Sequence, residues 1–253
     1  MNTARLFDRA IIRLCPQDDS EDVSAFLQGI VTNDVTGALP VWAALLSAQG
    51  KAMFDFLVWP GEDGALLVDC EAAAADDLVK RLSLYRLRRK IAIGRDEMLG
   101  VYWQSPGGGN APADAATDPR LPDLGLRWIA PVSDADAPGD SAWRAHRLDL
   151  GVPEGRADLG DILWLETNAA ELHGVSFDKG CYIGQENTAR MNWRQKINRR
   201  LVVVPLEQSD AKRRKAAYPD LGLALDHRRV ADIPAELAPP WMNLQPIDQA
   251  AGE

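Results

Sequence analysis

The segment Lys179–Glu186, with the sequence KGCYIGQE, carries the residue types best suited to chemistry. It places Cys181, one of only three cysteines, between Gly180 and Gly184. Glycines accept positive φ and a close approach of backbone, so the pair predicts a tight turn that presents the thiol instead of burying it. Because the thiolate is the form that attacks electrophiles and binds metals, the segment predicts a reactive or metal-binding cysteine.

Charges near this thiol act in opposite directions on its pKa. Lys179 and the basic stretch 190–200 favour the thiolate, whereas Glu186 opposes it, and the sequence leaves the sign of the net effect open. Cys15 and Cys70 each adjoin an apolar run, which is typical of a small buried hydrophobe. We therefore expect only the third cysteine to be functional.

A carboxylate inside an apolar strand is the second candidate. Asp55 is the only polar residue of Met53–Trp59, which has the sequence MFDFLVW. A carboxylate in such a position is costly unless something donates hydrogen bonds to it. It is either a catalytic group or a structural one that caps a turn or pairs with an arginine.

Glu166 is the third candidate, since it follows the apolar run 162–165. A carboxylate offers two coplanar acceptors, which suit a heterocycle with adjacent N–H donors such as the amino-pyrimidinone edge of a pterin. A glutamate at the start of a helix also satisfies the helix N-terminus without further function. Both interpretations stay open.

Composition limits the classes of function. The 253-residue chain has a formal net charge of -9 and no apolar segment long enough to span a bilayer, which argues against nucleic acid and membrane as partners. The start of the chain lacks the pattern of a signal peptide, so we expect a cytoplasmic protein. Scattered cysteines and histidines predict no structural metal site. In this acidic chain, the basic tract 191–200 is better explained as a basic strand entrance or a funnel for an anionic ligand.

Hydrophobic periodicity predicts alternating helices and short strands. Residues 20–30, 72–89 and 143–150 have helical spacing, and the runs 41–47, 52–59, 65–70, 91–93, 100–103 and 199–205 are typical of strands. Residues 104–119 are rich in Gly, Pro, Ala and Asp and predict a loop that divides the chain into two halves.

Four motifs together resemble the folate-binding YgfZ-type family of iron-sulfur cluster assembly proteins, which is similar to the aminomethyltransferase (T-protein) of the glycine cleavage system. They are FLQGIVTNDV (26–35), QGKAMFDFLV (49–58), YRLRRK (85–90) and GVSFDKGCYIGQE (174–186), the last followed by TAR (188–190). The last motif is the most specific, and the resemblance runs from about residue 5 to 204.

The resemblance implies an α+β fold. It predicts an aminomethyltransferase-like folate-binding domain of mixed and antiparallel sheets with helices over residues 1–204, with halves 1–103 and 120–204. A small β-barrel-like domain would follow over residues 205–253. Because this part is short, we expect the barrel to be reduced.

The resemblance also implies a ligand, partners and roles for individual residues. Tetrahydrofolate or a derivative is the expected ligand, and iron-sulfur client or assembly proteins are the expected transient partners. Cys181 takes the place of the critical cysteine, Asp55 that of a catalytic aspartate and Glu166 that of the pterin-binding glutamate. Lys179 is expected to be catalytic together with Cys181 and Asp55. Three further residues are expected to contact the cofactor together with Glu166 and Asp55, namely Asn33, Gln185 and Arg190.

Three functions compete. The motif around the cysteine favours a folate-dependent factor for assembly or repair of [4Fe-4S] clusters. The aspartate keeps open an aminomethyltransferase-like enzyme that transfers a one-carbon group to tetrahydrofolate, although such an enzyme has no need of the cysteine. A folate-stabilised scaffold without catalysis is the third alternative.

Overall fold

The computed structural model describes residues 4–109, 111–193 and 197–244. Within these ranges the strands are β1 (Ala4–Leu6), β2 (Arg9–Pro16), β3 (Val41–Leu46), β4 (Ala52–Pro60), β5 (Leu66–Glu71), β6 (Ile91–Asp96), β7 (Leu99–Gln104), β8 (Ala116–Thr117), β9 (Leu126–Pro131), β10 (Arg199–Pro205), β11 (Arg214–Tyr218) and β12 (Leu223–Arg229). The α-helices are α1 (Val23–Gln28), α2 (Ala75–Arg86), α3 (Asp140–Asp149), α4 (Arg156–Leu159) and α5 (Gln185–Trp193).

An antiparallel five-stranded sheet in the order β3-β4-β5-β2-β6 forms the centre of the molecule. Helices α1 and α2 bury apolar side chains such as Phe26 and Leu78 against one face, where Phe56 and Val58 point. On the opposite face of the same sheet, Trp42 and other apolar residues form a second core cluster with side chains from elements outside the sheet. Because both faces are covered, β4 is apolar at nearly every position, and its single carboxylate is enclosed.

Two smaller antiparallel sheets flank this centre. One has the order β1-β7-β9-β8 and the other the order β10-β12-β11. The second is an open three-stranded sheet in the described part of the chain, not a closed barrel, which agrees with the expected reduction. None of the helices in the described ranges combines the length and the apolar composition that crossing a bilayer requires.

Most predicted elements are present with shifted ends. The helix expected over 20–30 begins later, because Asp22 accepts a hydrogen bond from the Ala25 N–H and caps α1. The helix expected over 72–89 consists of a 3₁₀ turn followed by α2, and it ends where Leu87 adopts φ +51°. Strand β8 lies inside the segment expected to be a loop. It pairs with β9, which local sequence does not reveal.

The end of the chain contains more sheet than its composition suggests. Strands β11 and β12 lie in a region that reads as polar, and β12 pairs with β10 along its whole length. Strand β10 therefore belongs to the same sheet as the segment after residue 205. The domain boundary at residues 204 and 205 stays a prediction, and residues 245–253 lie outside the described residues.

Candidate functional site

The segment 174–184 that carries Cys181 begins at a tightly packed glycine. A Cβ on Gly174 would lie 2.5 Å from Cε3 of Trp42 and 3.0 Å from Cζ2 of Trp164, so only glycine fits between these rings. The Gly174 carbonyl accepts hydrogen bonds from Thr32 Oγ1 at 2.7 Å and from Trp164 Nε1 at 3.0 Å. The segment is thereby fixed to the core before it reaches the thiol.

Lys179 provides a second attachment. Its ammonium donates to three backbone carbonyls, those of Gln28 at 2.7 Å, Val31 at 2.6 Å and Asn33 at 2.8 Å. These carbonyls lie at and just after the C-terminal end of α1, where a helix leaves acceptors unsatisfied and favours a cation. All three N–H donors of the ammonium are therefore occupied by the fold, and burial lowers the pKa of Lys179 to about 8.

Asn33 supports the same attachment. Its side-chain amide donates to the carbonyls of Trp42 at 2.8 Å and His173 at 2.7 Å, which ties the end of α1 to β3 and to the start of segment 174–184. Both amide hydrogens of Asn33 thus have protein partners. The expected contact of Asn33 with folate stays a prediction, and its observed contacts are structural.

The third attachment follows the cysteine directly. Tyr182 is buried in the core, and its N–H donates to Oε1 of Gln185 at 3.0 Å. Gly184 has φ +79°, and a Cβ there would lie 2.4 Å from the carbonyl oxygen of Ser47. Gln185 therefore closes the turn, while Gly184 lets it lie against the connection between β3 and β4.

Cys181 lies between these attachments, and its side chain is exposed. Of the two glycines expected to shape the turn, Gly184 has a positive φ, whereas Gly180 does not. Cys70 is buried, which raises the pKa of its thiol to about 12, and Cys15 is only partly exposed. Cys181 is thus the exposed thiol of the chain, presented by a segment that is fixed on both sides.

Arg190 lies on α5, the helix that begins at Gln185. It makes a 3.2 Å ion pair with Glu186 one helical turn earlier, and both side chains are exposed. Such a pair stabilises a helix only slightly. The following tract 191–200 is described only in part, because residues 194–196 lie outside the described residues.

Asp55 lies on β4 and is 5% exposed. Its two carboxylate oxygens accept hydrogen bonds from Trp42 Nε1 at 3.3 Å and from the Gly155 N–H at 3.1 Å. Burial raises the pKa of Asp55 to about 6, while nearby Arg9 opposes this shift. The carboxylate therefore combines a perturbed pKa with protein partners for both oxygens.

A buried network of charges surrounds Asp55 and joins the two larger sheets. Arg9 on β2 bonds to Asp69 on β5 at 2.6 Å, and Asp69 also accepts from Arg127 on β9 at 2.9 Å. Glu154 accepts from Arg120 at 2.7 Å, and the pKa of its carboxyl is held well below its ordinary value by four arginines, although burial opposes them. Charged groups are buried at a tolerable free-energy cost only when each is paired with an opposite charge. Each charge of this network is paired in that way.

A cavity of about 340 Å³ opens beside this network. Its lining includes carboxylates, guanidinium groups and two aromatic rings from Asp8, Arg9, Glu71, Asp140, Trp143, Arg144, Arg147, Glu154, Gly155 and Tyr218. None of the residues predicted for folate lines it directly, and Asp55 lies behind its wall at Gly155. Sequence inspection missed these residues, although Arg9 and Glu154 stand out as charges within or beside apolar runs.

Glu166 lies apart from that cavity, in a 3₁₀ turn at Trp164–Thr167. Its Oε2 is 2.9 Å from Nε2 of His227 on β12, so it links the small sheet to the core and does not cap a helix. The described residues give its other oxygen no hydrogen bond. Glu166 therefore has one carboxylate oxygen available as an acceptor. An unpaired carboxylate would offer two coplanar oxygens.

No metal-ligand cluster was found in the described part of the chain. Groups of three or more His, Cys, Asp or Glu side chains placed to hold an ion are absent from residues 4–109, 111–193 and 197–244.

Removing the ammonium of Lys179 tests the attachment to α1. Lys179→Met leaves three partly buried carbonyls without a donor, and each unsatisfied group costs about 1–3 kcal/mol. We expect a lower melting temperature, measured by circular dichroism, while Lys212→Met at an exposed position leaves it unchanged. Equal melting temperatures for both variants would show that the three contacts contribute nothing.

The raised pKa of Asp55 predicts a dependence of stability on pH. Because the folded state holds the proton more tightly than the unfolded state, this group favours folding below pH 4 and loses that contribution as pH rises through about 6. The effect is at most about 3 kcal/mol. Asp55→Asn lacks it, so the melting temperature of the variant minus that of the wild type should increase between pH 4 and 7. A difference that stays constant with pH contradicts the assignment.

No family model matches the chain. The chain is 33% identical over 235 residues to "Iron-sulfur cluster assembly factor IBA57, mitochondrial" of Homo sapiens, covering 79% of this chain and 65% of that protein. The Mus musculus protein of the same name is 32% identical, with 80% and 66% covered. A Neurospora crassa homolog is 30% identical, with 72% and 49% covered.

The chain thus spans about half to two thirds of the length of these curated relatives. Their names assign them to mitochondria, and the cytoplasmic location expected for this chain stays a prediction. Among solved structures, glycine cleavage system aminomethyltransferase T from Bartonella henselae matches with a TM-score of 0.66 and 12% identity, covering 90% of this chain and 78% of that one. The chain has an aminomethyltransferase-like fold, and its homologues are iron-sulfur cluster assembly factors.

Proposed function

We propose that this chain is a factor for the assembly or repair of [4Fe-4S] clusters in client proteins, of the YgfZ type. The observation that carries the proposal is the exposed thiol of Cys181 on a segment fixed at Gly174, Lys179, Tyr182 and Gly184. Similarity to named assembly factors supports it.

The chemistry of the thiol limits what the chain does alone. A thiolate binds iron or attacks sulfur, but a cluster ordinarily takes four cysteine ligands. Cys70 is buried and Cys15 is partly buried, so neither is presented with Cys181. The cluster is therefore cargo, and its remaining ligands come from the partner that delivers or receives it.

Lys179 takes a positioning role in this proposal. Because its three donors are directed at carbonyls of the α1 end, the ammonium holds the segment in place and does not serve as a proton donor to substrate. Gln185 acts in the same way through the Tyr182 N–H. The orientation of the thiol then follows from the fold and not from a bound ligand.

We also propose tetrahydrofolate or a derivative as a ligand. Two sites on the chain offer carboxylate acceptors that suit the N–H groups of its pterin. Trp143 and Tyr218 offer rings in a cavity within the usual size range of ligand sites. Glu71 offers one carboxylate oxygen for a pterin edge, since its Oε2 accepts from the Arg156 N–H at 2.9 Å. The family resemblance points instead to Glu166, which retains one free acceptor. A bound tetrahydrofolate would supply a carrier for one-carbon groups.

Aminomethyl transfer has less support. The fold and the position of Asp55 favour it, but the carboxylate is buried and both oxygens accept hydrogen bonds from the protein. A base needs an open path to its substrate. Glycine cleavage activity also gives no role to the anchored thiol.

A complementation experiment tests the assembly function. In a strain that lacks its own factor of this type, the wild-type chain should restore the activity of a [4Fe-4S] enzyme such as aconitase, and Cys181→Ser should not. Cys15→Ser is the matched control and should restore activity fully. Full activity with Cys181→Ser contradicts the proposal.

Calorimetric titration tests the ligand and its place. Tetrahydrofolate should bind the wild type, and removing a carboxylate that meets the pterin edge should weaken binding at least about tenfold, since hydrogen bonds to charged groups contribute about 1.5–3 kcal/mol. Loss in Glu166→Ala alone supports the position implied by the resemblance, and loss in Glu71→Ala alone supports the cavity. Absence of heat with the wild type contradicts folate binding.

A further inference from the structure

The turn that follows α2 has a backbone that its sequence disfavours. The Arg89 N–H donates to the carbonyl of Arg86 at 3.0 Å, which closes a four-residue turn. Leu87 occupies its second position with φ +51° and ψ -114°, the conformation of a type II′ turn that glycine normally adopts. A branched apolar side chain is unfavourable there, and the surrounding structure must hold it.

This unfavourable residue is also largely exposed to solvent. Leu87 is 85% exposed, and Leu84, three residues earlier on the last turn of α2, is 66% exposed. Neither side chain is buried against another element in the described residues. A side chain that gains nothing from burial and strains its own backbone has no evident role in folding.

The surroundings of this surface are basic, although the chain carries a net charge of -9. Arg81 and Arg88 make no ion pair within the described residues, and Lys80 is 77% exposed, with a weak 3.8 Å contact to Asp77. Leu87, Arg88, Arg89 and Glu21 line a shallow groove of about 630 Å³. The complementary partner is therefore a protein face with an apolar side chain surrounded by carboxylates.

Helix α1 connects this surface to the segment that carries Cys181. Arg89 donates to Glu21 at 2.9 Å and to the carbonyl of Asp22, the N-cap of α1, at 2.7 Å. Lys179 bonds to carbonyls at the opposite end of the same six-residue helix. Such a helix is only about 9 Å long, so a single protein face can reach both ends.

We propose that Leu84, Leu87 and Arg88 form the docking point for an acidic protein partner that exchanges its cargo at Cys181. The proposal rests on the assembly function proposed above for its biological meaning, but the binding surface is testable without it. The partner supplies carboxylates for Arg88 and an apolar side chain for the groove beside Leu87. A partner docked at one end of α1 then lies near the segment that Lys179 joins to the other end and that carries the thiol.

Leu87→Gly is the most informative variant, because glycine accepts the observed φ and the variant should fold with an equal or higher melting temperature. The probe is a fluorescent 16-residue helical peptide with leucines on one face and glutamates elsewhere, followed by anisotropy. Binding should weaken at least tenfold in Leu87→Gly and Arg88→Glu, and should remain in Met98→Ala, an exposed apolar control. No binding to the wild type, or equal binding to Leu87→Gly, overturns the proposal.

Two further arms separate the alternatives. Vesicles of phosphatidylserine and phosphatidylcholine that bind the wild type, when the peptide does not, would assign the surface to a membrane and overturn the proposal. In the complementation strain, Leu87→Gly should lose aconitase activation while Cys181 keeps its rate of alkylation by iodoacetamide. If the wild type fails to complement but binds the peptide, the assembly function fails and the docking surface stands.

Discussion

The presentation of one thiol depends on the rigid attachment of the segment that carries it. Surface segments are ordinarily the most mobile parts of a protein, and a mobile cysteine has no defined direction of approach. Here the backbone is fixed before Cys181 by Gly174 between two tryptophan rings and by the Lys179 ammonium on three carbonyls. It is fixed after Cys181 by buried Tyr182. An exposed thiol with immobilised neighbours suits the proposed exchange with a partner that brings its own cluster ligands.

The attachments of segment 174–184 are made to a core that the buried charge network around Asp55 holds together. Arg9 and Arg127 meet on Asp69, which joins the five-stranded sheet to the four-stranded one. A buried pair contributes little net stability, but losing one partner leaves an unpaired charge and is strongly destabilising. The network therefore fixes the position of the four-stranded sheet relative to the five-stranded sheet. Trp42 connects it to the thiol segment, since its indole N–H bonds to Asp55 and its ring packs on Gly174.

Local sequence predicted what local interactions determine. The pattern of apolar residues located β3, β4, β5 and β10 within two residues of their ends, and the glycines and polarity around Cys181 predicted its exposure. The partners of Lys179 were not predictable, because they come from carbonyls about 150 positions earlier in the chain. The same holds for His227 on Glu166. The resemblance predicted a small β-rich segment after residue 205, but the positions of β11 and β12 in it were not predicted, because these strands depend on pairing and not on composition.

Native-state hydrogen exchange over residues 174–186 tests the central claim most directly. The amides of Ser176 and Tyr182 donate to Thr32 and Gln185, on either side of the exposed thiol. An anchored segment predicts that both amides exchange at least about tenfold more slowly than in an unfolded peptide of the same sequence, since exchange requires local opening. Exchange of both amides at the rate of the free peptide would show that the segment is mobile and would contradict the account.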